Sequence, residues 1–223
     1  MPELFTAFDA ARFQIHTHVI GDGAVRAALD GVEAARKANG AWPALHQLAH
    51  VQCVDPADLA RFAELGVMAN IQPLWARHAP SVTEVTLPKV GKERERLVYA
   101  FRSLIRAGAD FALSSDWGVS TLNPFHIMET AMTRQPVGGG GVEPFLPDEV
   151  LTRYECVLGY TLHAARAAWR GQQTGQLTPG FRADLIVVDR DLLVSDPVAF
   201  GETKVLLTLL DGAEVWRDPG FDG

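Results

Sequence analysis

The chain has 223 residues, of which 48% are hydrophobic, enough to supply a sizeable core for one large domain or two small ones. Its formal net charge is −7, with 27 acidic residues against 20 basic ones, which would repel a phosphate backbone and excludes nucleic acid as an expected partner. The apolar runs are far shorter than the roughly 20 residues of a membrane-spanning helix. We therefore predict a globular protein without a membrane span.

The first residues and the cysteines point to a reducing compartment. The N-terminal segment lacks the basic and apolar regions of a signal peptide, so a cytoplasmic location is expected. Cys53 and Cys156 show neither a CxxC nor a zinc-finger spacing. We expect both to be reduced packing residues, because free cysteine is often buried.

The first half of the chain alternates short apolar runs with helical patterns, which is typical of βα units around a parallel sheet. The pattern predicts four strands, at residues 13–18, 45–51, 67–71 and 110–115. Helices are predicted at residues 24–38, 56–66 and 93–107, and a long mixed loop at residues 72–91. Asp55 is the expected N-cap of the second helix, with Pro56 at its first position and Gly66 at its end.

The second half has a different pattern. Residues 124–135 and 147–169 have helical spacing, and the run from Gly138 to Gly141 between them predicts a flexible loop without a phosphate-binding motif. Strand-like segments follow at residues 183–188, 204–210 and 213–216. Asp211 and Gly212 form a strong hairpin signal between the last two. A small β module is therefore expected after the βα region, and it must pack on something else to be stable.

Three of the four predicted strands end in a residue that can bind a metal. His18 ends the first strand, His50 the second and Asp116 the fourth. Reactive groups gather at the carboxyl ends of parallel strands, so three such residues together indicate a metal or catalytic site, although one alone would be read as structural. Two imidazoles and a carboxylate suit Zn²⁺ or another divalent metal. Asp116 can then accept a proton from a bound water whose pKa falls to roughly 7, and pass it to a leaving amine.

The remaining histidines can have structural roles rather than metal-binding ones. His16 shares a strand face with His18 and can be a ligand, but its deeper position favours a supporting or core role. His46 lies at the opposite end of its strand from His50 and is expected to be structural. His78 can reach the mouth of the site from the long loop, whereas His126 and His163 are expected on helix surfaces or in packing.

Two tryptophans lie just beyond predicted strand ends. Trp75 follows the third strand and Trp117 the fourth. Both can line a substrate pocket or simply fill the core.

Four segments resemble known motifs. Residues 13–22 (FQIHTHVIGD), 49–52 (AHVQ) and 114–119 (SSDWGV) resemble the fifth, sixth and eighth strand motifs of amidohydrolase family 3, in its N-substituted formamide deformylase branch. Residues 175–189 resemble the stretch in which such enzymes return to a small β-sandwich. The resemblance implies a (β/α)₈ TIM-type barrel that hydrolyses amide-like C–N bonds with bound metal. It also implies that His18, His50 and Asp116 are metal ligands, and that Asp116 is the catalytic base.

The chain departs from the family pattern in one large respect. The first-strand His-x-His pair and the fourth-strand ligand have no counterpart, and His16 and His18 cannot be that pair because too few strands follow them. We therefore expect residues 1–170 to be the C-terminal half of a barrel, strands five to eight, and residues 171–223 a β-sandwich portion. Such a half barrel has two unpaired edges, so self-association or dependence on the missing N-terminal half is expected.

Two hypotheses for function follow. In the first, the chain is part of a metal-dependent amidohydrolase acting on small molecules with an amide or N-acyl group, and is inactive alone. In the second, it is a non-catalytic remnant or binding module that holds no metal. The loops at residues 72–91 and 121–141 would set substrate specificity, but they contain no sequence motif that identifies the substrate.

Overall fold

The computed structural model describes residues 1–222 and contains a parallel and an antiparallel sheet. The parallel sheet has the sequential order β1 (His16–Val19), β2 (Gln47–His50), β3 (Met68–Ile71) and β4 (Asp110–Leu113). The antiparallel sheet has the order β5 (Leu185–Val188), β6 (Val205–Leu210) and β7 (Ala213–Arg217). These sheets confirm a parallel α/β region followed by a small β module.

Helices precede the first strand of the parallel sheet, connect its strands and follow its last strand. They are α1 (Pro2–Ala10), α2 (Asp22–Asn39), α3 (Leu59–Leu65), α4 (Leu87–Val90), α5 (Phe101–Arg106), α6 (Pro124–Thr133), α7 (Arg153–Tyr160) and α8 (Leu162–Ala167). No helix within residues 1–222 combines the length and apolar character needed to cross a membrane.

The two faces of the parallel sheet differ in character. Leu48, Ile71 and Leu113 point from one face into the main hydrophobic core, which also includes residues of α2 and α5. His16 and His18, two residues apart on β1, are exposed on the other face. Since side chains alternate along a strand, the sheet separates an apolar, helix-covered face from an open face, which is polar at its histidines and buries Met68 and Ala112 against Ala167.

Several local signals in the sequence are confirmed. The Asp55 side chain accepts a hydrogen bond from the Ala57 backbone N–H (2.9 Å), and Gly66 ends α3 in the left-handed region. At the β6–β7 turn both Asp211 (φ 54°) and Gly212 (φ 79°) have positive φ, as a type I′ hairpin requires. Cys53 and Cys156 are buried and unpaired as expected.

The predicted helix at residues 93–107 is wrong, because the structure interrupts it. A 3₁₀ segment (Lys92–Leu97) is separated from α5 by residues 98–100, where Tyr99 takes a positive φ of 53°. Val98 forms a β-bridge with Cys53, and the Tyr99 N–H donates to the Gln52 carbonyl (2.7 Å). These long-range backbone bonds replace the intrahelical ones, so tertiary pairing overrides the helical pattern.

The helical segment predicted at residues 147–169 is divided into three shorter elements. The segment contains a 3₁₀ turn (Pro147–Glu149), then α7 and α8, which Thr161 separates with a non-helical backbone. Thr152 and Glu155 form a capping box that starts α7 after the turn. The cap defines a new helix start within the helical pattern.

The long loop at residues 72–91 has more regular structure than expected. It contains a 3₁₀ turn (Pro73–Trp75), a π-helical turn (Ser81–Thr86) and the short helix α4. These are short turns that hydrophobic periodicity does not reveal.

Helix α1 was not anticipated from the sequence. It lies against α2, where the buried Phe5 ring contacts Gly31. Asp9, at the end of α1, is fully buried and accepts hydrogen bonds from Asn39 (2.8 Å) and Trp42 (2.6 Å). A nine-residue helix is too short to be stable alone, so these tertiary contacts account for it.

The close approach of α1 and α2 gives a stability prediction. A Cβ atom at Gly31 would lie 2.8 Å from Cγ of the Phe5 ring, so we expect Gly31→Ala to lower the free energy of unfolding by about 1–3 kcal/mol through overpacking. Gly23→Ala on the same helix is the matched control, because nothing lies within 4 Å of its Cβ position. Urea denaturation measures both variants. An unchanged midpoint for Gly31→Ala would contradict the observed packing.

Candidate functional site

The carboxyl ends of β1 and β2 bring two histidines together. His18 and His50 have ring centroids 4.6 Å apart, with the ring planes nearly perpendicular. His16 lies farther away, with its ring centroid 6.5 Å from that of His18. The structure therefore places His18 and His50 side by side, as the sequence predicted, at one rim of the parallel sheet.

The backbone at His50 explains how the two rings meet. In a regular strand, His50 would point to the same face as Leu48, toward the helix-covered core. His50 instead has a positive φ of 71° and Val51 one of 46°. This left-handed turn at the strand end directs the His50 ring toward His18. Such conformations cost about 1–3 kcal/mol each and cluster at functional sites.

Asp116 lies beyond the end of β4 and also has a left-handed backbone, with φ 60°. Directly after β4, the Ser114 N–H donates to the Ile71 carbonyl (3.0 Å), and Asp116 follows two residues later. Burial lowers the pKa of His50, while the Asp116 carboxylate acts in the opposite direction and raises it. Asp116 is thus an electrostatic neighbour of His50.

The donor set fits a divalent metal in part. Neutral imidazole is the form that binds metal, and burial favours it at His50 by lowering the pKa. Asp116 adds a negative charge nearby. Among residues 1–222, however, no three His, Cys, Asp or Glu side chains come close enough together to hold an ion. The two imidazoles are therefore in place, but the full predicted set is not assembled.

The open face below the histidines carries a polar network that sequence reasoning missed. It consists of Gln47, Asn70, Gln72 and Ser114, from β2, β3 and the end of β4. A signal was present, since Asn70 and Gln72 are polar at two-residue spacing in an otherwise apolar strand. Period-two polar residues in a buried strand indicate a second, polar face.

The other histidines are distributed as follows. His16 is exposed on the open face and is not a core residue within residues 1–222, while a supporting role stays a prediction; the strand edge beside it is unpaired in the same residues. His78 is exposed and its ring contacts Phe145. His163 packs against the Phe111 ring, in agreement with a packing role.

His46 has the structural role that the sequence predicted, and it is buried. It is 1% exposed, its Nδ1 accepts from the Ile15 N–H (3.1 Å), and its Nε2 lies 3.0 Å from the Asp9 carboxylate. Because Nδ1 accepts, the ring proton of the neutral form is on Nε2 and donates to Asp9. Burial lowers the pKa of His46, against an opposite effect of Asp9.

The lowered pKa of His46 predicts a pH dependence of stability. His46 of the unfolded chain takes up a proton near pH 6.5, whereas the buried His46 of the folded chain resists protonation. The free energy of unfolding is therefore highest above about pH 6.5 and falls as the pH decreases below it. The pKa values of His16, His50 and His163 are lowered too and act in the same direction. We expect the urea midpoint to fall between pH 8 and pH 5.5, and the slope to be smaller in His46→Gln. An equal slope in that variant would remove His46 from this account.

The two tryptophans have different environments. Trp75 packs against the main core, whereas Trp117 is 68% exposed beside Asp116. Trp117 shares its loop with Val119 and Leu122, which are also largely exposed. An apolar surface therefore borders the rim that carries the histidines.

Comparison with known proteins agrees with this architecture. The model of the amidohydrolase family matches residues 1–216. The chain is 33% identical to N-substituted formamide deformylase from Arthrobacter pascens, over 87% of this chain and 35% of that protein. It is also 33% identical to Protein LONG AFTER FAR-RED 3 from Arabidopsis thaliana, over 82% of this chain and 30% of that protein. The chain thus spans about a third of the length of these relatives.

Solved structures show the same relationship. An uncharacterized metal-dependent hydrolase from Pyrococcus horikoshii OT3 superposes with a TM-score of 0.72 at 28% identity, covering 87% of this chain and 38% of that one. A similar hydrolase from Pyrococcus furiosus gives a TM-score of 0.66 at 25% identity, over 86% and 37% of the two chains. The chain therefore belongs to the amidohydrolase family, and its α/β fold is that of metal-dependent hydrolases.

Proposed function

We propose that this chain carries part of the active site of a metal-dependent hydrolase that cleaves amide-like C–N bonds in small molecules. The observation that supports this most is the pairing of His18 and His50, whose ring centroids lie 4.6 Å apart at adjacent strand ends. Asp116 follows the end of another strand of the same sheet and acts electrostatically on His50. In this proposal His18, His50 and Asp116 are metal ligands, and zinc is the favoured ion.

Asp116 has the additional role of moving a proton. A divalent ion, when bound, would polarise the amide carbonyl and acidify the attacking water. The oxygen of this water attacks the carbonyl carbon, and its proton passes to the Asp116 carboxylate. Asp116 then delivers that proton to the nitrogen as the C–N bond breaks, which leaves a carboxylic acid and an amine.

We further infer that residues 1–170 form strands five to eight of a (β/α)₈ barrel and residues 171–223 a small β-sandwich portion. Support comes from four parallel strands in sequential order and from a match to about a third of the curated relatives. The family's remaining metal ligands would come from outside this chain. In agreement with this, no three potential ligands within residues 1–222 lie close enough together to hold an ion.

The open parallel sheet favours a binding partner for this chain. Strands β1 and β4 are the edges of the parallel sheet described here, and His16 and His18 are exposed on its open face. Unpaired edges beside an uncovered face favour association, either with a copy of the chain or with the missing barrel half. A cytoplasmic setting suits the two reduced cysteines.

An alternative function is a non-catalytic remnant or binding module without metal. The observation that favours it is that His18, His50 and Asp116 do not form a ready three-ligand group within residues 1–222. The two functions differ in whether the chain binds an ion at the histidine pair.

Metal analysis distinguishes these functions. After equilibration with zinc and removal of the excess, we expect about one equivalent bound to the chain, as for a single zinc site. His50→Ala should lose this zinc, whereas His78→Ala, the same change at an exposed histidine outside the pair, should keep it. A wild-type chain that holds no zinc, or equal retention by both variants, would favour the remnant over the hydrolase.

A further inference from the structure

The polar network on the open sheet face is a hydrogen-bond chain with a single direction. Gln72 Nε2 donates to Ser114 Oγ (2.7 Å), and Ser114 Oγ donates to Asn70 Oδ1 (2.5 Å). Asn70 Nδ2 donates to Gln47 Oε1 (2.9 Å), and Gln47 Nε2 donates to the Ala167 carbonyl (3.0 Å). A backbone carbonyl can only accept, so it fixes the orientation of every amide in the chain.

This direction determines which side-chain atom of Gln72 remains without a hydrogen-bond partner. Its amide nitrogen faces Ser114 and also lies 3.0 Å from Asn70 Oδ1 and 3.1 Å from the Asn70 carbonyl. The Gln72 residue is only 4% exposed, and within residues 1–222 its Oε1 atom is buried without a donor in full hydrogen-bond geometry. An acceptor buried in this way costs about 1–3 kcal/mol unless a donor is supplied.

The neighbouring donor is the His50 imidazole. Gln72 lies near enough to act on His50 as a hydrogen-bond partner that favours the protonated ring. The contact does not meet the full geometry of a hydrogen bond, since Gln72 Oε1 has no such partner within residues 1–222. Catalytic hydrogen bonds are often long in ligand-free structures and tighten on binding.

We propose that Gln72 is a positioning residue: its Oε1 accepts the N–H of His50 and thereby fixes the imidazole tautomer, leaving the other ring nitrogen as the lone-pair donor. A neutral imidazole has one N–H and one lone pair, so an acceptor at one nitrogen selects the other for coordination. The chain from Gln72 to Ala167 keeps the Gln72 amide from flipping. The use of that lone pair for a metal rests on the proposed function, but the tautomer itself does not.

The first test is made on the metal-free 223-residue chain. Long-range ¹H–¹⁵N NMR at pH 8 reports the His50 tautomer and whether its ring N–H is protected from exchange, with His50→Ala to assign the signals. We expect one tautomer and a protected N–H in the wild type, loss of both in Gln72→Leu, and retention in Gln72→Glu, which keeps an acceptor. Gln135→Leu, the same change outside the network, should match the wild type. A single protected tautomer that persists in Gln72→Leu would overturn the proposal.

A milder variant protects the test against misfolding. Gln72→Met keeps the length of the side chain and most of its apolar volume but has no amide oxygen, so we expect loss of the protected N–H and of the single His50 tautomer. If Gln72→Leu does not fold, this variant decides the outcome. A single protected tautomer that persists in Gln72→Met would then contradict the role of Gln72.

The second measurement is zinc affinity by competition with a chromophoric chelator. Loss of a group that orients a metal-binding histidine typically lowers affinity by about 10- to 100-fold, and we expect this for Gln72→Leu with partial rescue in Gln72→Glu. If the wild-type chain binds no zinc, the proposed function fails while the tautomer result still decides the role of Gln72. If zinc binds equally well to wild type and Gln72→Leu, the positioning role toward metal is wrong.

Discussion

Asp116→Asn is expected to abolish turnover in whichever form of the protein hydrolyses an N-substituted amide. The amide of asparagine cannot take the proton of the attacking water or return it to the leaving nitrogen, and general acid–base groups contribute roughly 10²–10⁴-fold to rates. Loss of the Asp116 charge would also weaken the binding of the metal ion. The measurement is kcat/KM for that amide substrate at saturating zinc.

A second aspartate controls for a general effect of charge removal. Asp110 begins β4, at the opposite end of the strand from Asp116, and forms an ion pair with Arg166 (2.7 Å). Asp110→Asn should leave kcat/KM close to that of the wild type. Retained turnover in Asp116→Asn would remove Asp116 from the mechanism, and an equal loss in both variants would point to a structural effect.

Arg134→Ala is expected to destabilise the fold by about 3–5 kcal/mol, the range of large core truncations. Arg134 is fully buried; its Nε donates to the Phe145 carbonyl (2.9 Å) and its Nη2 to the Tyr99 carbonyl (3.0 Å). The guanidinium lies 5.7 Å from the centroids of both the Phe101 and Phe145 rings. Burial lowers the pKa of Arg134 to about 10, so the two carbonyls and rings compensate a desolvated cation. Truncation would leave a cavity and two unpaired acceptors.

One further variant separates the loss of volume from the loss of hydrogen-bond donors, and another is the control. Arg134→Met keeps most of the apolar volume but not the donors, so we expect a smaller loss of about 1–3 kcal/mol from the unpaired carbonyls. Lys37→Ala, at a side chain that is 74% exposed, should change the unfolding free energy by no more than about 0.5 kcal/mol. Urea denaturation at pH 7.5 compares all three. An Arg134→Ala midpoint equal to that of Lys37→Ala would contradict this account of the buried cation.

The sequence predicts the parallel strands because their apolar residues are local and regularly spaced. The Asp55 cap and the turn at Asp211 and Gly212 could also be predicted, since each depends on two or three adjacent residues. Helix α1 could not, because it depends on distant contacts such as Phe5 against Gly31. The break at Tyr99 likewise results from pairing with the loop that follows His50, which helical periodicity does not encode.

The site could be predicted in outline but not in detail. Strand ends locate His18, His50 and Asp116 at one rim, since the carboxyl ends of parallel strands share an edge. Alternation along β2, however, would have turned His50 away from His18, and only the left-handed backbone at its position brings the rings together. The role of Gln72 depends on the direction of a hydrogen-bond chain across three strands, which no local pattern shows.

The convergence of His18, His50 and Asp116 on one ion is tested most directly by diffraction at the zinc absorption edge, from crystals of the chain grown with zinc. The account predicts one anomalous peak within about 2.0–2.2 Å of a ring nitrogen of each histidine and of an Asp116 carboxylate oxygen. A peak bound elsewhere, or one that contacts only a single residue of the three, would contradict it.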